Sequence, residues 1–150
     1  MFTLIFTTAI FSILQSCVKK DISSNCLAIL APDTLRFNVV DKNTGMDLFF
    51  SNSPIYTTDQ IYLTVQDVKF DLTPKIETSA KLGKHFIVVA TGNASGTIKL
   101  YIANNLEHTL QYTLKKDETY DCPKYLFDKV VINGTQTEQN LNGRVILLKK

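Results

Sequence analysis

The chain has 150 residues, a net charge of +2, ten per cent aromatic residues, no tryptophan and three cysteines. That length suits one domain with a sizeable core. The near balance of charge, with lysines spread along the chain, argues against a nucleic-acid partner, which would need a clustered basic face.

The first predicted element is an apolar run, Phe2 to Leu14, broken only by Thr3, Thr7, Thr8 and Ser12. It is too short to span a bilayer, which takes about 20 apolar residues, and has the length of a signal-peptide apolar region. It runs into Leu14-Gln15-Ser16-Cys17, followed by Val18, Lys19, Lys20 and Asp21. This tetrapeptide resembles the lipobox of bacterial lipoproteins: a branched apolar residue, a tolerant position, a small residue, then cysteine. The resemblance implies a diacylglyceryl group on the Cys17 thiol and cleavage before it. No Lys or Arg precedes the apolar run, as such signals usually carry. An ordinary secretory signal with a coincidental cysteine, or a buried first strand, is the alternative reading. Val18 stands where Asp resembles an inner-membrane retention signal, so the resemblance implies the outer membrane; it leaves open whether the domain faces the cell surface or the periplasm. Lys19-Lys20-Asp21 looks like the charged tag of surface-exported lipoproteins.

The organisation expected is a signal peptide over 1–16, a lipidated tether over 17–33 and a domain over 34–150. Removing 16 residues from 150 leaves 134 in the mature chain. In an oxidising compartment Cys26 and Cys122 are the natural disulfide pair. The bridge would close a loop of 96 residues, from 26 to 122, with a chain-entropy stabilisation of up to about 4–5 kcal/mol. Free buried thiols and a functional thiol are the alternatives. Neither cysteine has a partner at zinc-ligand spacing.

From residue 34 the hydrophobic period becomes two, the mark of half-buried strands. Leu35, Phe37 and Val39 share one face. Asp41 to Gly45 reads as a turn, since Asp and Asn bond locally and Gly tolerates positive φ, and 47–50 as a second short strand. Strands follow at 61–66, 68–72 and 85–90, with a polar stretch over 74–84. Residues 97–102 and 107–114 form a predicted hairpin. Residues 125–132 and 144–148 are the last predicted strands, with Asn133-Gly134 and Asn142-Gly143 as turns. Leu35, Phe37, Val39, Leu63, Val65, Ile87, Val89, Ile98, Leu100, Ile102, Leu110 and Leu114 are expected to share one core. The fold class implied is all-β, an antiparallel sandwich of seven to nine strands. The stretch RFNVVDKNTGMDLFF resembles the opening of immunoglobulin-like or prealbumin-like extracellular modules. The whole chain resembles small cell-envelope lipoproteins of similar length, a family with no activity to lend.

Candidate chemistry is sparse. His85 opens an apolar strand, and His108 shares parity with Leu106, Leu110 and Tyr112; both read as structural. Gly92-Asn-Ala-Ser95-Gly96 is one residue too long for a nucleophile elbow. Asp41 to Asn52 departs from a calcium loop, with glycine fifth rather than sixth and Asn52 at position twelve. Asp117, Glu118, Asp121 and Asp128 read as a solvated acidic patch. No cofactor or metal is expected. Asn93-Ala-Ser95 and Asn133-Gly-Thr135 match the eukaryotic glycosylation acceptor, a coincidence beside a bacterial lipobox. Asp33-Thr34-Leu35 is similar to an O-glycosylation sequon of some envelope-rich bacteria, with Thr34 as acceptor.

The function expected is a non-catalytic binding or structural module, lipid-anchored at the outer membrane, with the membrane as one partner and a protein or surface polymer as the other. The alternative is a glycan-binding accessory, built on a platform drawn from Tyr56, Tyr62, Tyr101, Tyr112, Tyr120 and Tyr125. A hydrolase would need a pocket holding His85 or His108 beside an aspartate.

Overall fold

A computed structural model describes residues 33–65, 68–89, 94–117 and 124–150. Cys17, Cys26 and Cys122, and with them the expected lipid site and the expected disulfide, lie outside the described residues, as do the expected signal and the expected tether up to residue 32.

The described chain is an all-β sandwich, as the alternating pattern implies. Its strands are β1 (Thr34–Val40), β2 (Ile61–Val65), β3 (Val68–Leu72), β4 (Lys75–Ser79), β5 (Gly83–Val89), β6 (Ser95–Ile102), β7 (Asn105–Asp117), β8 (Lys124–Ile132), β9 (Gln136–Gln139) and β10 (Val145–Lys149). One sheet has the order β10-β1-β5-β4 and the other β3-β2-β6-β7-β8-β9. All neighbours are antiparallel except β1 and β10, which run parallel with Arg36 opposite Val145 and Val40 opposite Lys149. The first and last described strands thus close the small sheet together.

The core lies between the sheets. Leu35, Phe37 and Val39 from β1, Phe86 and Val88 from β5, and Ile146 and Leu148 from β10 meet Ile61, Leu63, Ile98, Leu100, Ile102, Leu110, Val130 and Ile132 of the large sheet. Phe86 is the hub of an aromatic cluster. Its ring stacks on Phe37 at 5.4 Å and meets Phe49 edge-on at 5.2 Å, both favoured geometries.

Four expectations need correction. Ile87 and Val89 do not face the core: Phe86 and Val88 take the inward positions of β5, and Val89 is 38% exposed. Both faces of that strand are apolar, so alternation could not choose between them. Residues 47–50 do not form a strand. Asp47 makes one bridge with Val40, then its carboxylate accepts the Phe49 and Phe50 amides at 2.8 Å each and curls the chain. This local bonding competes with a ladder and drops Phe49 into the core. The polar stretch 74–84 contains β4, an edge strand whose Lys75, Ile76 and Thr78 are exposed. Edge strands need no apolar alternation, and charge there blunts pairing with other chains. The same reason hid β9, of sequence QTEQ.

The entry to the domain is tied down. Asp33, assigned to the tether, accepts the Phe127 amide at 2.7 Å and so fastens the start of β1 to β8 in the opposite sheet.

Candidate functional site

Both histidines are buried. His85 is fully buried, its Nδ1 donating to the Gly83 carbonyl at 3.0 Å. Its Nε2 lies 3.5 Å from Glu77 Oε2, which is also 3.5 Å from Arg36 Nε. Its neighbours are thus a glutamate and an arginine across the small sheet. His108 faces the core at 3% exposure. Its Nδ1 accepts from Asn133 Nδ2 at 3.1 Å, which leaves the ring proton on Nε2. Burial is the main cause that pushes the His108 pKa below 6.5; the Lys150 ammonium adds to it and the Glu107 carboxylate opposes it. Asn133 is spent in holding this corner: its Oδ1 accepts the Thr109 amide at 2.8 Å, and it occupies a left-handed position at φ 51° ahead of Gly134 at 71°. The predicted turn is present, and its asparagine side chain is fully used.

Asp41 behaves as a turn residue. One carboxylate oxygen accepts the Asn43 amide, the Thr44 amide and the Thr44 hydroxyl. The Thr44 amide leads the effects that lower its pKa. An oxygen so engaged by donors is turned toward the loop rather than toward a cation. Of the acidic patch, Glu118 and Asp121 lie outside the described residues. No group of three metal-ligating side chains occurs among the described residues. Thr34 is the first residue of β1, half-buried opposite Val89.

The outer face of the large sheet is different. Its inward positions are apolar apart from His108 and, on β9, Gln136 and Glu138, and its outward positions carry what the sheet presents. These include Ser95, Thr97, Lys99 and Tyr101 on β6, Thr109, Gln111 and Thr113 on β7, with Lys115 and Asp117 continuing the same parity, Lys129 and Val131 on β8, and Thr137 and Gln139 on β9. Tyr62 of β2 pairs directly with Tyr101. Their rings stack at 4.7 Å with planes 3° apart. Beside them lies Leu106, 52% exposed. It reaches this face because the ladder slips: Leu100 pairs with His108 but Tyr101 with Leu106, so Glu107 is the extra residue of a bulge. Without the bulge Leu106 would share the inward face with His108.

About four residues along β6 from Tyr101, roughly 13 Å at 3.3 Å per residue, the face sinks into a depression of about 360 Å³. Ser95, Thr97, Gln111, Thr113, Lys129 and Val131 line it, with Gly96 and Tyr112. Its small residues lie side by side on β6, opposite Gln111 and Thr113. Lys129 makes no ion pair among the described residues and is half-buried. A smaller hollow of about 170 Å³ lies near the domain entry, between Asp33, Lys115, Phe127 and Leu141. Neither contains a histidine.

Of the five described tyrosines, the structure brings Tyr62 and Tyr101 together and sets the other three apart. Tyr112 is buried against Phe127, Tyr56 lies under the Lys150 ammonium at 5.6 Å, and Tyr125 is exposed on β8. Tyr120 lies outside the described residues. The depression was not foreseen from sequence, although outward parity of Thr97, Gln111 and Thr113 was the available signal. Comparison of the chain with protein-family models, curated proteins and solved structures finds no match.

Proposed function

We propose that the chain is a non-catalytic binding module of the cell envelope, anchored to the outer membrane by lipid on Cys17, that meets its partner with the outer face of the large sheet. The observation that carries this reading is the stacked Tyr62–Tyr101 pair standing on a solvent face beside exposed Leu106. Aromatic side chains there do not fill the core, and grouped apolar surface rimmed by polar residues is typical of contact sites. The anchoring half rests on Leu14-Gln15-Ser16-Cys17. The bond from the Phe127 amide to Asp33 suits it, because pull on the tether would pass into β8 rather than peel β1 alone. A disulfide from Cys26 to Cys122 would reinforce the same end.

Two measurements test it. Cells supplied with labelled palmitate should label the parent chain and not Cys17→Ser, and only the parent should fractionate with the outer membrane. A photo-crosslinking residue in place of Tyr101 should capture a product in intact cells, and one in place of Lys75, on the edge of the small sheet, should not. Label retained by Cys17→Ser refutes the anchor, and equal capture from both positions refutes the face.

A further inference from the structure

We infer that Asn142–Gly143 is a site of spontaneous covalent modification, where the Asn142 side chain turns into aspartate and isoaspartate, while the same dipeptide at Asn133–Gly134 is shielded from it. This chemistry does not depend on how the chain meets a partner.

The reacting groups are an asparagine carboxamide and the main-chain nitrogen of the next residue. Glycine there leaves the nitrogen uncrowded, since it has no Cβ. The carboxamide must also be free to swing its carbon over that nitrogen. The two turns are alike in their frame. Ile132 accepts the Thr135 amide at 3.1 Å and Leu141 accepts the Arg144 amide at 3.1 Å. Gly134 lies at φ 71° and Gly143 at φ 67°. Asn133, Gly134, Asn142 and Gly143 are all exposed, so access to water does not separate them. What separates them is the asparagine side chain. Asn133 is clasped to β7 by three bonds. Its Nδ2 donates to His108 Nδ1 at 3.1 Å, its Oδ1 accepts the Thr109 amide at 2.8 Å, and its own amide donates to the Thr109 carbonyl at 2.8 Å. A carboxamide held at both ends cannot rotate. The Asn142 side chain makes no hydrogen bond among the described residues, and neither does the Gly143 amide.

In the step, the Gly143 nitrogen gives its proton to hydroxide and attacks Asn142 Cγ. The bond from Cγ to Nδ2 breaks, and Nδ2 leaves as ammonia. A cyclic imide remains, and water adds to one of its two carbonyls. Addition at Cγ restores the main chain and leaves aspartate. Addition at the main-chain carbonyl of residue 142 leaves isoaspartate, whose main chain runs through Cβ and is longer by a methylene group. Either product places a carboxylate at the hollow near the domain entry, which Asp33 and Asp128 already line and where Lys115 is the one cation among the described residues. Isoaspartate also lengthens the link from buried Leu141 into β10. The aged chain therefore holds β10 against β1 less firmly.

The test ages the purified full-length chain in mildly alkaline buffer with detergent and digests it with trypsin at intervals. Cleavage after Lys129 and after Arg144 gives one peptide, Val130 to Arg144, that carries both asparagines. Fragmentation then assigns each exchange of NH for O to its residue. In the folded chain Asn142 should convert at least about tenfold faster than Asn133, which reacts only when its bonds to β7 open. In urea strong enough to unfold the chain the two rates should converge. The aged parent should melt at a lower temperature than the fresh one, and Asn142→Ser aged alongside it should not. Equal rates in the folded chain, or a faster Asn133, overturn the inference. So does an Asn142 that stays intact in the folded chain while both residues react in urea, and so does a difference in rate that persists unchanged in urea, since local sequence would then be its cause. Conversion of Asn142 with no change in melting overturns the consequence drawn for β10.

Discussion

Replacing Gly96 by alanine puts the packing of the large sheet to a signed test. Gly96 has an ordinary strand backbone, so a methyl group there meets no conformational penalty. Taken alone the change should stabilise the fold by about 0.4–1 kcal/mol, because alanine restricts the unfolded chain. The space is already taken. Gly96 lies opposite Tyr112, and an added Cβ would come within 2.5 Å of the phenol oxygen, 2.7 Å of Cζ and 2.9 Å of Cε1. These atoms are the stiff end of a ring that is 3% exposed and held edge-on against Phe127 at 5.3 Å. The ring cannot slide without giving up that contact, worth about 0.5–1.5 kcal/mol, and overpacking of this kind costs about 1–3 kcal/mol. The net expectation is a loss of about 1–2 kcal/mol. In urea, with a slope of about 1–3 kcal/mol/M, that lowers the midpoint by about 0.3–2 M. In a Tyr112→Leu background the methyl has room, so the cost of Gly96→Ala should vanish and the cycle should show a coupling of about 1 kcal/mol or more. A Gly96→Ala protein as stable as its parent, or more so, refutes the reasoning.

Three more outcomes follow from the same structure. His108 has its pKa pushed below 6.5, so between the folded value and 6.5 the unfolded chain holds the extra proton; stability is full above about pH 6.5 and falls on acidification. The difference in urea midpoint between the parent and His108→Gln should therefore shrink as pH drops from 7.5 to 5, and a constant difference would count against it. Phe86→Ala should cost about 3–5 kcal/mol while Val89→Ala, outward on the same strand, should stay within about 0.5 kcal/mol; equal losses would restore the expected but uncorrected facing of β5. Ala103 sits at φ 47° in the β6–β7 turn, where a side chain costs about 1–2 kcal/mol and asparagine is better tolerated. Ala103→Asn should raise thermal stability, and a lowered midpoint temperature would show that the turn is not under that strain.

The sequence made the sandwich legible wherever one strand face is apolar and the other polar. Leu35-Arg36-Phe37-Asn38-Val39 states its own orientation, and all three apolar residues are buried. The hairpin of β6 and β7 was readable for the same reason. Legibility ended where alternation ended. His85 to Val89 is apolar on both sides, and only the partner strands decide that Phe86 and Val88 go inward. β4 and β9 are polar because they are edges, and the edge position is a property of the assembled sheet. The parallel pairing of β10 with β1 joins residues more than a hundred positions apart, and nothing local in either segment specifies it.

The candidate site was legible in parts but not as a site. Period two alone places Tyr62 between inward Ile61 and Leu63, and Tyr101 between Leu100 and Ile102, so each tyrosine could be assigned to a solvent face. That the two faces are one face depends on β2 pairing with β6, segments separated in sequence by β3, β4 and β5. Leu106 was legible in the wrong sense, since parity with His108 and Leu110 puts it inside. The bulge at Glu107 reverses it. Glu107 itself pairs with the Lys150 side chain, and that ammonium lies over Tyr56. The extra residue is therefore anchored by charge at the sheet's end rather than by its neighbours in β7. A change that removed this anchor, Glu107→Ala, would favour the regular ladder and turn Leu106 toward the core, two residues along the same face from His108. The aromatic strip would then lose its third member while both tyrosines stayed in place. The composition of the outer face is thus governed partly by an ion pair that does not touch it.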